Sequence, residues 1–329
     1  MSLKELSFID REKIEDARRN LEGIVTKSPL LKLNTTFIRH SEYNLEGKKI
    51  YIKLENLQDV GSFKIRGAVN ALRQKKLNSV QGVYTCSVGN FAHALAYGSS
   101  KLGVPCSAVV PPNYSKQKIM GAKAFGASIK VVEFDEFWQA MSTGDISGID
   151  GTFIHPVCDE DVIAGHGTIG LEILEDLPDV NQIIVPFGGG GLACGIASAV
   201  RGYNVKVTPC EVDVAAPLKA SQLAGKPTTC KSHTVNFVDG MSGTRVFDPM
   251  WNLINNLLED SIALSLESIA GAMKILAEGN RVIAEGAGAA PIAAALSEQT
   301  APGNIVCVVS GGNIDLNKFC TAMSGIVPE

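Results

Sequence analysis

The chain has 329 residues, room for two domains or one large one, and 45% of them are hydrophobic, which supports a substantial core. A net charge of −4 with 19% charged residues gives no reason to expect nucleic acid or an anionic membrane as a partner. No uncharged apolar run approaches the roughly 20 residues of a membrane span, and the N-terminus MSLKELSFIDREKIEDARRN has no apolar signal core, so a cytoplasmic location is expected.

The first predicted strand, KIYIKL (49–54), leads into GSFKIRGAVNAL (61–72). With Ser62 as N-cap, the spacing predicts a helix over 64–76. Lys64 then shares a face with Gly67, Ala68, Ala71 and Leu72, while Arg66, Asn70 and Arg73 share the opposite face and the arginines look outward. An ammonium is costly to desolvate, so a lysine among small apolar neighbours tends to lose its proton. The neutral amine is a nucleophile toward carbonyls, typically forming a Schiff base. A lysine snorkelling from the edge of an apolar stripe is the plainer alternative.

GVYTC (82–86) is the next predicted strand, and a helix is predicted over 90–102. Between them Ser87, Gly89 and Asn90 stand at a helix entry, where backbone N–H groups hold a carboxylate or where an ordinary N-cap suffices. SAVVP (107–111), a helix over 115–125 and SIKVVEF (128–134) follow. The least regular stretch, MSTGDISGIDG (141–151), is expected to carry the chain between lobes, ahead of a helix over 164–175.

QIIVPF (182–187) runs into four glycines, 188–191, and a helix over 192–201. Glycines let successive N–H groups curl inward, and the helix N-terminus adds donors and dipole, which makes a phosphate cup; a bare turn is the alternative. No GxxxxGK[ST] is present, which excludes a P-loop. Gly188, Gly190 and Ala193 do fit GxGxxA, and Glu211, ending VKVTPCE (205–211), lies about twenty residues on, as the ribose-binding acid of a nicotinamide-dependent oxidoreductase would. That reading leaves Lys64 unexplained. After a helix over 267–279, NIVCVVS (304–310) opens SGGN, where the Ser310 hydroxyl either meets a ring nitrogen or merely ends a strand.

Near-continuous Val/Ile strands alternating with helices predict an α/β fold with parallel sheets covered on both faces. Its Gly-rich loops follow strand ends and are expected to converge on one crevice. The eight cysteines form no CxxC pair and lie in apolar text, which predicts buried free thiols in a reducing compartment. An aldehyde-capturing lysine, a phosphate cup, a hydroxyl for a ring nitrogen and a carboxylate cradle together suit pyridoxal 5′-phosphate and an amino-acid substrate.

ENLQDVGSFKIRGA, SVGNFAHALA, PPNYSKQKIMGAKAFGA, IAGHGTIGLEI, FGGGGLACGIA and VVSGGN stand in one order from about residue 14 to beyond 310. In that set the chain resembles the serine/threonine dehydratase and serine racemase group of fold-type II pyridoxal-phosphate enzymes. The resemblance implies a tryptophan synthase β-like fold with two open, twisted, mostly parallel sheets flanked by helices. It implies a large cofactor-binding domain of residues 1–72 and 158–329, a small substrate-closing domain of residues 73–157, and a homodimer. Lys64 would carry the cofactor as a Schiff base and move protons, with Phe63 packed near the ring. Gly188, Gly189, Gly190, Gly191 and Leu192 would hold the phosphate, Asn90 the ring's 3′-oxygen and Ser310 the pyridine nitrogen. Ser87, Val88, Gly89, Asn90 and Phe91 would form the substrate loop. The implied reaction is β-elimination from a β-hydroxy L-amino acid, such as L-threonine or L-serine, to a 2-oxo acid and ammonia.

Alternatives on the same scaffold are racemisation and β-replacement. Val88 stands where racemases of the group have a serine, which argues against two-sided proton transfer. Phe91 and His93 alter the pocket wall, and Phe137 with Trp138 either enlarge the substrate pocket or belong to the core. Glu211 and the Ala215 carbonyl match a divalent-cation site of the family. Pro217 replaces its second carboxylate, with Asp213 as a substitute, which leaves the cation open. Glu285 is a further pocket residue by position.

Overall fold

The computed structural model describes residues 5–36, 38, 43, 45–75, 77, 81–112, 114, 116–230 and 236–329. Helix α1 (Arg11–Leu21) precedes strands β1 (Leu30–Lys32) and β2 (Lys48–Leu54), and a 3₁₀ turn (Glu55–Leu57) leads to α2 (Lys64–Gln74). A parallel unit follows: β3 (Val83–Cys86), α3 (Asn90–Leu102), β4 (Cys106–Val110), α4 (Lys116–Ala124), β5 (Ser128–Val131), α5 (Phe134–Thr143) and β6 (Thr152–Phe153). Then come α6 (Glu160–Asp176), β7 (Gln182–Pro186), α7 (Gly191–Ala199), β8 (Lys206–Val212), α8 (Pro217–Ala224) and α9 (Trp251–Leu257). The chain closes with β9 (Ile262–Leu264), α10 (Leu266–Asn280), α11 (Gly286–Leu296), β10 (Gly303–Val309) and α12 (Leu316–Met323).

Two sheets result. Six strands run in the order β1-β2-β10-β7-β8-β9, all parallel except β1 against β2, and four parallel strands run β5-β4-β3-β6. Val306 to Val309 of β10 are fully buried, because helices cover both faces of the central strand; such strands carry unbroken apolar text and are visible in the sequence for that reason. The smaller sheet is inserted in the chain between β2 and β7.

Several expectations need correction. Strand 128–134 ends at Val131, because Asp135 and Glu136 favour the positive end of a new helix, α5, which begins at Phe134. Helix 115–125 has its first predicted residue, Ser115, outside the described residues, as is Lys76 of the helix predicted over 64–76. Helix 164–175 begins four residues earlier, where the Asp159 carboxylate caps Asp161 and Val162 N–H. The stretch 141–151 does not cross between sheets: it finishes α5 and leads to β6, which still pairs with β3. The crossing comes after Phe153. There the buried His155 Nδ1 accepts from Val157 N–H (2.9 Å) and Cys158 N–H (2.7 Å). Burial brings that imidazole down to about 4, so it stays a neutral acceptor at neutral pH.

The largest correction concerns α2. Its first helical residue is Lys64, with Phe63 rather than Ser62 at the N-cap, and Ser62 instead bridges Gly311 in backbone pairing. Arg66 does not look outward: it is 1% exposed. Its Nε and Nη2 donate to Glu55 (both 2.8 Å), and its Nη1 and Nη2 donate to Glu172 (2.7 and 2.9 Å). Lys53, fully buried, donates to Glu172 and to the Ser28 carbonyl, both at 2.6 Å. Two cations and two carboxylates thus neutralise one another inside the protein, and two-pronged guanidinium geometry satisfies most of their hydrogen-bonding capacity. Asn70 is also buried, bonded to Asn20 and to the Asp161 carbonyl. Only Arg73 of the three is exposed.

Burial alone would raise the Glu55 carboxyl, but Arg66, Ser28 and Lys53 together hold it below its ordinary value. The stability this contributes is present above the ordinary carboxylate range and is lost as pH falls through the depressed value. Arg66→Met strands two buried carboxylates and is expected to cost about 3–5 kcal/mol in urea unfolding at neutral pH. The deficit should narrow on acidification, since Glu55 left with burial alone prefers the neutral form.

Candidate functional site

The strand that carries Ser310 and the turn that carries Lys64 lie side by side. Phe63 N–H donates to the Ser310 carbonyl (2.9 Å), Gly312 N–H donates to the Gly61 carbonyl (2.9 Å), and Ser62 and Gly311 bridge between them. This pairing brings GSFK and SGGN together from opposite ends of the chain and sets α2 at the carboxyl edge of β10. Ser310 is buried at that edge.

Lys64 is half-buried. Its Nζ lies 4.9 Å from the Phe63 ring centroid and 5.7 Å from that of Phe91. Loss of hydration lowers its pKa from 10.5 to about 8, against the opposing pull of the Glu285 carboxylate. A substantial neutral fraction is therefore present near physiological pH. Phe63 in turn stands edge-on to the fully buried His166 at 4.7 Å. Burial, then the charges of Lys64 and Arg66, hold that imidazole well below its ordinary value, so it is a neutral wedge between α2 and α6.

The four glycines turn from β7, the strand next to β10, into α7, where a Cβ on Gly191 would lie 3.8 Å from the His166 ring that Phe63 meets. Gly190 has φ +92° and caps the helix, a conformation side chains disfavour. A Cβ on Gly188 would lie 2.4 Å from the Gly240 carbonyl oxygen, and one on Gly189 would lie 2.5 Å from a Val157 methyl. The first intrahelical bond of α7 is Cys194 N–H to Gly190 O (2.9 Å), so the N–H groups of Gly191, Leu192 and Ala193 precede it and none of them donates to a backbone carbonyl among the described residues. Backbone donors at the positive end of a helix make an anion site.

The substrate loop expected at 87–91 has the same design at α3. Ser87, Val88, Gly89 and Asn90 are half-buried where β3 ends, while Phe91 is buried beneath them. Gly89 is the cap residue, and the first helical bond is His93 N–H to Gly89 O, which leaves earlier N–H groups for a second anion. Asn90 reaches across to the cap of α11, its Nδ2 donating to Glu285 Oε1 at 3.0 Å. Asn313 Nδ2 donates to Asn90 Oδ1 at 2.8 Å. The sequence points to Glu285 by position but not to Asn313, although Asn313 ends the SGGN that begins with Ser310.

Other expected residues fall elsewhere. Glu211 is buried, and its oxygens accept from Leu218 N–H (2.7 Å), Lys219 N–H (2.9 Å) and the Ser261 hydroxyl (2.7 Å). Burial nevertheless raises its pKa. It caps α8, whose first residue is Pro217, and is withdrawn from any ribose, which removes the nicotinamide reading. Ala215 is buried next to it and Asp213 is exposed; among the described residues no group of three or more His, Cys, Asp or Glu is arranged to hold a metal. Phe137 is core, packed with Tyr84, Cys86 and Val109, whereas Trp138 is exposed. His93 stacks on Phe125 at 5.6 Å.

The structure therefore combines a partly desolvated amine, two glycine-capped helix N-termini whose first N–H groups precede the helical bonds, and a buried serine at a strand end. Comparison with known proteins agrees. Residues 21–311 match the model of the family described as pyridoxal-phosphate dependent enzyme. The chain is 37% identical to the L-threonine ammonia-lyase of Thermotoga maritima over 95% of this chain and 77% of that protein. It is 35% identical to the catabolic L-threonine dehydratase TdcB of Escherichia coli over 93% of each. Among solved structures, maize serine racemase superposes with a TM-score of 0.86 at 30% identity, covering 97% of this chain and 98% of that one. The matched span takes in the lysine turn, the glycine run and the strand end with Ser310, and the chain belongs to the pyridoxal-phosphate dependent enzyme family.

Proposed function

We propose that this protein is an ammonia-lyase that converts a β-hydroxy L-amino acid, L-threonine or L-serine in the first instance, into a 2-oxo acid and ammonia. The observation that carries the reading is the Lys64 amine, lowered to about 8 by burial and set beside an unpaired helix N-terminus lined by glycine. The residues fit the cofactor of the family: a Cβ at Gly188 or Gly189 would collide with its surroundings, so that turn admits only bare backbone. Gly188 to Leu192 would hold the phosphate, Ser310 the pyridine nitrogen, Asn90 the ring oxygen and Lys64 the aldehyde carbon, with Phe63 against the ring.

When bound, pyridoxal phosphate supplies an electron sink that makes the Cα–H of the amino acid acidic. Lys64, once free, removes that proton as general base. The N-terminus of α3, with Ser87, Val88, Gly89, Asn90 and Phe91, holds the substrate carboxylate and so fixes which bond faces the lysine. Ser310, a neutral hydroxyl, would hold the ring nitrogen less strongly protonated than a carboxylate partner would, which suits prompt loss of a β-hydroxyl. Water lost at Cβ is regained on hydrolysis, so the net change is release of ammonia.

The division into residues 1–72 with 158–329 and residues 73–157 is part of this proposal, as is closure of the second over the substrate; the separate sheets support it. A cytoplasmic homodimer belongs to it as well. The cysteines are all free and six of the eight are buried, as suits a reducing compartment, and no helix of the described residues is long and apolar enough to cross a membrane.

Purified protein given a panel of β-hydroxy amino acids, β-aryl and β-carboxyl serines included, should release ammonia and the matching 2-oxo acid from at least L-threonine or L-serine. Lys64→Ala should lower turnover by roughly 10³-fold or more; full turnover by that variant would overturn the assignment. The rate at which apoprotein captures pyridoxal phosphate should climb with pH through about 8, as the neutral amine accumulates, and a flat profile there would contradict the desolvated lysine. Chiral chromatography of L-serine incubations should show no build-up of D-serine, because Val88 carries no proton opposite Lys64.

A further inference from the structure

A backbone carbonyl decides which way the Asn90 amide faces. The Val60 carbonyl only accepts, and Asn313 Nδ2 donates to it at 2.8 Å, which fixes the orientation of Asn313. The second N–H of that nitrogen meets Asn90 at 2.8 Å, so the atom it meets is the acceptor Oδ1. Asn90 Nδ2 is thereby turned toward Glu285, whose Oε1 accepts one of its two N–H groups at 3.0 Å. The other N–H remains to be donated. Reversing the amide would set N–H against N–H at Asn313 and oxygen against oxygen at Glu285.

Two glycines make room for this arrangement. Gly61 has φ +69°, and a Cβ there would lie 2.3 Å from Asn313 Oδ1; one on Gly311 would lie 2.6 Å from Glu285 Oε1. The three polar residues also come from different parts of the fold. Asn90 opens the helix after β3 of the smaller sheet, Glu285 caps α11, and Asn313 follows β10 of the larger one. The contacts thus fix an amide of one sheet's unit in the frame of the other.

We propose that Glu285 and Asn313 are positioning residues that hold Asn90 as an obligate hydrogen-bond donor toward the ring oxygen of bound pyridoxal phosphate. This rests on the assignment of Asn90 to that oxygen made above. A fixed donor stabilises the oxygen as an anion, whereas an amide free to turn over offers its own oxygen part of the time and repels it.

The test uses holoenzyme of the wild type and of Asn313→Ser, Asn313→Asp, Glu285→Ala, Glu285→Gln and Asn90→Ala. Two readouts are taken apart from turnover: the visible absorption of the cofactor as a function of pH, and the rate of its loss on gel filtration. Asn313→Ser, Asn313→Asp and Glu285→Ala should each lose cofactor about five- to tenfold faster, the worth of one well-placed hydrogen bond, and displace the pH midpoint in the same direction as Asn90→Ala. Glu285→Gln, whose amide oxygen still accepts from Asn90, should restore most of the retention lost in Glu285→Ala. Should the Asn313 variants fail to fold, the Glu285 pair alone decides. If Asn90→Ala alters both readouts while the Asn313 and Glu285 variants match the wild type, the clamp is refuted and the assignment of Asn90 stands. If Asn90→Ala itself matches the wild type, the assignment falls and the clamp with it.

Discussion

Everything in the cleft depends on where α2 begins. Its first residue is the lysine, and two devices of different kinds hold it in place. On the entry side, backbone pairing of residues 61–63 with residues 310–312 ties the turn to the edge of β10. Two residues into the helix, Arg66 is locked between Glu55 and Glu172. The first device sets position along the sheet edge, and the second fixes rotation about the helix axis. A helix turns about 100° per residue, so a slip of one residue would carry the lysine away from the glycine run altogether. A buried ion cluster adds little net stability over an apolar packing of the same shape, but it tolerates almost no displacement. That is the property a nucleophile's support requires.

The electrostatics of the two faces of α2 are opposite in purpose. On the Arg66 face two cations meet two carboxylates with nearly all their bonding capacity used, and Glu55 stays ionised despite complete burial. On the Lys64 face burial acts with only one carboxylate against it, and the amine's proton affinity falls to about 8. Lys64 and Arg66 are two residues apart in sequence, yet one cation is stabilised and the other is not. The difference lies chiefly in partners: Arg66 meets two carboxylates at hydrogen-bond distance, and Lys64 has only the more distant pull of Glu285. The N-termini of α3 and α7 present N–H groups that suit anions, and under the proposed function phosphate and carboxylate would supply the negative charge the protein itself withholds.

Much of this is legible in the sequence, for identifiable reasons. Central parallel strands such as β10 are continuous apolar runs, and the loops that follow them carry glycine and small polar residues, so fold class, Lys64, the glycine run and Ser310 can all be located from pattern. The short edge strands β1, β6 and β9 are too brief to show a period. Helix α11 is concealed by its own text, since GAGAAPIAAAL carries glycine and proline at interior positions among its alanines and, being buried on every side, shows no apolar period. Arg66 defeats helical-face reasoning altogether: its partners lie 11 and 106 residues away, and nothing local distinguishes a guanidinium that meets two buried carboxylates from one that meets water. Asn313 fails for the same reason, because its meaning comes from Val60 and Asn90.

The glycines of the cleft are best understood as absent side chains. Gly103 and Gly126 have positive φ and open space around them, so backbone conformation alone explains them. Gly188, Gly189 and Gly311 have no such φ requirement, yet a single carbon at each would lie within 2.6 Å of a neighbouring heavy atom. Gly67 and Gly165 do likewise where α2 and α6 touch, with His166 and the Arg66 carbonyl in the space a methyl would take. Close approach of backbones is what lets Asn313, Asn90 and Glu285 meet at the edge of β10 without intervening side chains. The glycine content of the site is therefore a measure of its packing, and a substitution there acts by displacing neighbours and not by stiffening a hinge.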